Sequence, residues 1–241
     1  SGFSDCKKLE KVTLLESVVS IGSSAFSNST SLTAIELPDS LTSIGDNAFN
    51  RSAIRSLDIP DSVTSIGADA FKESSLVSVK LPSNLSNIAS GLFRDVSGLT
   101  EITLPDTVTR IGNYAFYGTG LTSISIPDTV TTIGDFAFYG TGLTSISIPD
   151  AVTTIGYQAF YNVPITSLTF PDNISVGSQA FTSTGITMLV VPEGVTFYGN
   201  NILFSIPSVC SSLTTLTIAQ KLVSGFSDCK KLEKVTLLES V

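Results

Sequence analysis

Apolar residues recur along the chain in a fixed phrase. In LTSISIPDTVTTIGDFAFYGTG, residues 121–142, Leu121, Ile124 and Ile126 alternate loosely with Thr122, Ser123 and Ser125. That pattern predicts a half-buried strand with an irregular start. Pro127 ends the strand, and Asp128 opens a turn in which its carboxylate can bond its own backbone. Val130 and Ile133 make a second inward-facing pair, and Gly134 is expected to supply a positive φ for a tight bend. The DFAF stretch reads as a short helical turn that drops Ala137 and Phe138 inward. No such coil buries its apolar side alone, so stability has to come from stacking.

The phrase returns, with drift, along the whole length. One phenylalanine keeps the count: Phe3, Phe26, Phe49, Phe71, Phe93, Phe116, Phe138, Phe160, Phe181, then Leu203 in the same slot, then Phe226, at steps of 21 to 23 residues. A period in this range with Leu and Ile at fixed offsets belongs to the leucine-rich class of solenoids. At about 4.8 Å per strand, ten coils advance about 48 Å.

The pattern I-P-x-x-V-x-x-I-G-x-x-A-F-x-x-C-x-x-L is matched closely by IPDSVTSIGADAF at 59–71 and FSDCKKLEKVTL at 226–237. It resembles the BspA-like leucine-rich repeat, and the resemblance covers nearly all of the chain. It implies a β-rich solenoid of right-handed coils, with a parallel sheet and short helical turns. It also implies a place on bacterial or protist surfaces and a role in adhesion to host proteins or other cells. The family has no shared catalytic residues to carry over, and no cofactor is expected. The chain departs from the pattern at 195–223, where FSIPSVCSSL adds residues between core positions, IAQKLVSGF removes them, and Ala219 takes the proline slot.

Residues 1–18, SGFSDCKKLEKVTLLESV, return without change as residues 224–241. Neighbouring coils agree at only about half their positions, so identity across ten coils needs its own cause. The simplest is a higher-order period of 223 residues, the distance from Phe3 to Phe226, with this chain holding one ten-coil unit and the opening of the next. Both termini fall within a coil and neither offers the polar cap that closes a free solenoid. The expectation is therefore a window on a longer array. End-to-end stacking of separate subunits and an artificial duplication are the other readings.

On this view Cys6 and Cys229 are one residue seen twice, and each unit carries two cysteines, Cys210 and Cys229. Each sits three residues before a strand-opening leucine, Leu213 or Leu232. Equivalent points on stacked coils lie about 5 Å apart at Cα, within reach of a disulfide. A Cys210–Cys229 bridge is one expectation; reduced cysteines filling a core slot are the other.

Charge narrows the functional classes. The chain of 241 residues carries 13 Lys and Arg against 21 Asp and Glu, with no His or Trp, and has no Lys or Arg between Arg110 and Lys221. Nucleic acid needs clustered cations and is excluded as a partner. No apolar run approaches a membrane span. Without His, a nucleophile would need a Lys or carboxylate base, and no such pairing stands out. The solvent side of the sheet is mostly Ser and Thr, with Arg55 and no aromatic residue, so an aromatic, Arg-rich binding patch is not expected there or elsewhere.

Three rows remain as candidate sites. Sequons at Asn28, Asn50, Asn84 and Asn173 place possible glycans, the first two on a turn after the core Phe and the others on the turn after Pro, all expected to be exposed. Asp39, Asp61, Asp106, Asp128, Asp150 and Asp172, continued by Glu193, line the turn after Pro; turn chemistry explains them better than calcium, which needs six or more converging oxygens. Tyr117, Tyr139 and Tyr161 follow the core Phe as half-buried packing or as a lateral contact or sugar-stacking stripe. The function expected is an extracellular structural segment of a fibre or stalk, whose partners are neighbouring units end to end. An adhesin for a host or matrix protein is the alternative, and an ice-binding or glycan-binding surface a distant one.

Overall fold

The computed structural model describes residues 2–192, 194–198, 207–218 and 229–237, and the chain is a parallel β-solenoid. Leu203 and Phe226 of the repeat count, Ala219 in the proline slot, and Glu193 of the acidic row lie outside the described residues.

The predicted strands form a long face. Lys11–Thr13 pairs with Ala34–Glu36, and Ser56–Asp58 with Ser78–Lys80. Farther along, Ser167–Thr169, Met188–Val191, Thr215–Ile218 and Lys234–Leu237 form one four-stranded sheet. Inward side chains meet their equivalents one coil on, as in Val12 with Ile35 and Leu168 with Leu189. Between these groups the segments at 101–104, 123–126 and 145–148 make no ladder, yet Ile102, Leu104, Ile126 and Ile148 are still buried. The alternation read from LTSISIP therefore describes burial correctly even where strand pairing lapses.

A second parallel ladder, on the short face, is built by the V-T-x-I stretch. Its nine strands of two or three residues pair as one sheet of three, from Ser20–Ile21 to Ser65–Ile66, and one of six, from Asn87–Ile88 to Thr196–Tyr198; Thr132, for example, pairs with Arg110 on one side and Thr154 on the other. Val130 and Ile133 are fully buried, as the sequence pattern requires. Strands this short fall below the four to eight residues over which alternation can be read, so the ladder itself was not predicted. Threonine hydroxyls reinforce it: Thr131 donates to the Thr109 carbonyl and Thr153 to the Thr131 carbonyl, both at 3.2 Å.

The segment around the core Phe is a hydrogen-bonded turn rather than a helical one; Pro207–Ser212 is the one helix among the described residues. The residues two before and two after the Phe are left-handed in every coil from the second to the ninth: Ser24 and Asn28 in one, Phe136 and Gly140 in another. Backbone N–H groups therefore alternate in direction. Ala25, Ser27 and Ser29 donate within the coil, to Gly22, Ser24 and Phe26; Ser24, Phe26 and Asn28 donate to Asp46, Ala48 and Asn50 of the next coil, each at 2.8 Å. A helix would keep all of these donors within one coil.

The core is a column of nine phenylalanines from Phe3 to Phe181, with adjacent ring centres 5.1 to 5.7 Å apart and near-parallel planes. Offset stacking is a favoured aromatic geometry. Ala137 and Phe138 are fully buried.

Gly134 needs a different explanation from the expected one. Its φ is not positive; a Cβ there would lie 2.6 Å from the Asn113 backbone N and 2.8 Å from the Gly112 carbonyl carbon. The glycine is required because stacked coils approach too closely for a side chain. In the PD turn, the Pro127 carbonyl accepts from the Val130 N–H at 3.0 Å, and equivalent bonds close the turns at Pro38, Pro60, Pro105 and Pro149.

The irregular coil keeps its place in the ladder by compensation. Its register steps 27 residues, as between Thr187 and Thr214, and the following coil steps 19, as between Cys210 and Cys229. The helix Pro207–Ser212 takes up residues of the longer coil.

Candidate functional site

Cys210 and Cys229 occupy equivalent positions on the two coils joined by the Leu216–Val235 register. Their sulfurs lie 1.98 Å apart and their Cα atoms 4.1 Å apart, with both residues buried. Cys6, the same residue of the duplicated phrase, is a half-buried free thiol.

The four sequons separate. Asn84 and Asn173 are exposed, the latter left-handed in its turn, and Asn84 Nδ2 donates to the Asp61 carbonyl at 2.9 Å. Asn28 is half-buried. Asn50 is buried, only 9% accessible, which corrects the expectation of an exposed turn. The residue after the core Phe lies in the row that holds the tyrosines elsewhere, and a short amide at this slot sinks between neighbouring coils.

Asp39, Asp61, Asp106, Asp128, Asp150 and Asp172 are all exposed, and among the described residues no three His, Cys, Asp or Glu side chains converge in a metal-binding group. Asp61 shows the structural use of this row. Its carboxylate accepts the Ser83 N–H of the next coil at 2.7 Å, rather than a donor in its own turn. That backbone bond, aided by the Ser83 hydroxyl, holds its pKa below the ordinary carboxylate value.

The tyrosine row expected after the core Phe is part of a larger aromatic cluster on the turn side, which Tyr114, Phe136, Tyr157 and Arg94 extend beyond the sequence reading. Tyr117, Tyr139 and Tyr161 stack with centres 4.7 and 5.0 Å apart, while Tyr114 and Phe136 stack beside them at 4.7 Å. Tyr157 meets Phe136 edge-on at 5.1 Å and is 38% exposed. The Arg94 guanidinium carbon lies 5.1 Å from the Tyr114 ring centre and 5.4 Å from that of Tyr117, a cation–π arrangement. The Tyr139 hydroxyl is pushed up in pKa by burial and then by its two neighbouring phenols. This is the aromatic and arginine patch that composition gave no reason to expect.

Two of its rings occupy a costly conformation. Tyr114 and Phe136 fill the left-handed slot before the core Phe, with φ of 59° and 56°. Other coils place Ser24, Asn47, Asp69, Gly91, Gln158 and Gln179 there. A bulky residue at positive φ costs on the order of 1–3 kcal/mol. Ring stacking returns about 0.5–1.5 kcal/mol per pair, so the two effects are comparable. The signal available in the sequence was the YAFYG and FAFYG pattern, in which ring spacing of three residues places both aromatics on one turn.

The long face offers an open cleft of about 610 Å³ where its ladder lapses, lined by Ser78, Glu101, Thr103, Ser123 and Ser125 among others. No helix among the described residues is long and apolar enough to cross a membrane.

With this geometry in hand, comparison places the chain. The sequence model of the BspA type leucine rich repeat region, in 6 copies, matches residues 1–122 and 109–233. A leucine-rich repeat protein from Bacteroides ovatus is 30% identical with a TM-score of 0.74, over 98% of this chain and 56% of that one. A leucine rich cell surface protein from Faecalibacterium prausnitzii is 25% identical with a TM-score of 0.54, over 99% of this chain and 62% of that one. The pneumococcal vaccine antigen PcpA shares the fold at 24% identity with a TM-score of 0.62, over 97% of this chain and 69% of that one. This chain thus spans little more than half the length of the Bacteroides ovatus protein. No curated protein matches it. The repeat phrase, the stacked coils and these matches agree: the chain belongs to the BspA-type leucine-rich repeat family.

Proposed function

We propose that this chain is a segment of an extracellular, cell-surface structural solenoid in which ten-coil units continue into one another as a fibre or stalk. The observation that carries this reading is the behaviour of one strand seen twice. Lys11–Thr13 pairs with the coil that follows it, Lys11 opposite Ala34; the same letters at Lys234–Leu237 pair with the coil that precedes them, Lys234 opposite Thr215. A KVT strand that accepts a neighbour on either edge can join one unit to the next with no change of register. In an array, the thiol of Cys6 would meet the Cys210 equivalent of the preceding unit.

The test is the size of the native protein. Its intact mass should correspond to several units of 223 residues, and electron microscopy should show rods many coils long. A native chain holding a single unit and sedimenting as a monodisperse monomer would refute the array.

The aromatic cluster supports the adhesin as a second reading. Tyrosine and arginine are enriched in the few residues that carry most of the energy of protein interfaces.

A further inference from the structure

All six tyrosines of the chain fall between residues 114 and 198, and five of them join Phe136 on the turn side of neighbouring coils. The turn itself does not ask for rings. The slot of Tyr139 holds Asn50 in one coil and Thr182 in another, and the slot of Tyr157 holds Ala68 or Ser90, while the core Phe column passes through all of these coils.

Arg94 shows what this surface attracts. It occupies the tyrosine slot one coil before Tyr117 and lays its guanidinium over Tyr114 and Tyr117, at the near end of the stack. Its charge is balanced by Asp95, with Nε and Oδ2 3.4 Å apart. At the far end, Tyr157 and Tyr161 have no cation over their rings among the described residues, and the whole stretch from 111 to 220 contains no Lys or Arg. Asp128, Asp135, Asp150 and Asp172 lie in the same stretch. This stretch of the solenoid is therefore net anionic, with Asp135 in the turn beside Phe136, and among the described residues a cation stands over one end of the ring stack only.

We propose that the aromatic ridge is a docking surface for a cationic polypeptide segment of a partner protein, whose Arg or Lys side chains lie over the exposed Tyr157 ring and along the Tyr139–Tyr161 stack, as Arg94 lies over Tyr114 and Tyr117. Charge complementarity selects this occupant over a neutral glycan or a second copy of the chain. The ridge would work equally in a single unit or an array, so the proposal stands apart from the tandem reading.

Because the chain has no Trp, its intrinsic tyrosine fluorescence reports mainly on this cluster. Titration with an oligo-arginine peptide at physiological salt should change that signal, and a Gly-Ser peptide should not. Tyr139→Asn combined with Tyr161→Thr installs residues that the same slot already carries and leaves net charge unchanged, so general attraction to an acidic protein is retained. The pair should weaken peptide affinity about tenfold or more, read by calorimetry, with circular dichroism confirming the fold. If the pair does not fold, Tyr157→Ser, at an exposed position whose slot holds Ser178 one coil later, should still weaken binding several-fold. Equal affinity in wild type and folded variant would overturn the proposal. So would a response to a neutral oligosaccharide or to self-association in the absence of any response to the cationic peptide.

Discussion

Gly134 lies against Asn113 so closely that a Cβ would sit 2.6 Å from the Asn113 backbone nitrogen. The same crowding recurs at Gly45 against Ser23, at 2.5 Å. Gly134→Ala is therefore expected to destabilise the solenoid by about 1–3 kcal/mol, the usual cost of overpacking. Chemical denaturation should show this, and a neutral result would contradict the close approach. Gly140 makes the contrast: its φ is +68° with open space around it, so Gly140→Asn should be tolerated, as Asn162 is in that slot.

Phe138 is fully buried between Phe116, at 5.3 Å, and Phe160, at 5.1 Å. Phe138→Ala should cost about 3–5 kcal/mol, because a ring leaves the middle of a column that cannot collapse along its axis. The unfolding midpoint measures it, and a loss below 1 kcal/mol would mean that the coils close over the gap.

Cys210 and Cys229 close a loop with a sequence separation of 19. If they are bonded in the native protein, Cys229→Ser should cost about 2–4 kcal/mol and reducing agent should reproduce the loss. Non-reducing peptide mapping is the direct check, and free Cys210 in the folded protein would leave the pair as packed thiols.

In a host that attaches N-linked sugars, Asn84 and Asn173 should be occupied and Asn50 empty, since the former are exposed and the latter is buried. Mass spectrometry of glycopeptides decides the matter, and glycan on Asn50 of folded protein would contradict its burial.

The Asp61 carboxyl has a lowered pKa in the folded state because it accepts the Ser83 N–H and hydroxyl. Its contribution is complete above the unfolded-state value and is lost as pH falls through the lowered, folded-state value. Glu73, held by Arg51, behaves in the same direction. The stability difference between wild type and Asp61→Asn should thus shrink on acidification. Denaturation midpoints measured against pH would show it, and a difference constant with pH would exclude the role.

The side-chain pattern revealed what lies inside. Leu121, Ile126, Val130, Ile133, Ala137 and Phe138 are all buried where their spacing put them, and the cysteines fall in register across coils of unequal length. It could not reveal where peptide groups point. Ile133 reads from the sequence as an inward residue and Thr132 as its neighbour, yet their peptide groups form a ladder; the DFAF stretch reads as helical and sends alternate donors to its neighbour. Gly134 looked like a conformational need and answers a contact made by Asn113, a residue 21 positions earlier. Tyr114, Tyr117 and Phe136 were missed as a group because their meeting depends on which turn positions are left-handed, a property that Ser24 and Phe136 share without sharing any chemistry.

On the turn side, Phe26 donates to Ala48, Phe49 to Ala70 and Phe93 to Ala115, always from the earlier coil to the later. Peptide dipoles aligned in this way add along the axis. Any cut through the turn side leaves N–H groups bare on the piece before it and carbonyls bare on the piece after it. The two kinds of edge fit each other and neither fits its own kind, so an assembly that uses them has a single polarity: it can lengthen head to tail, and it cannot reverse direction within a filament.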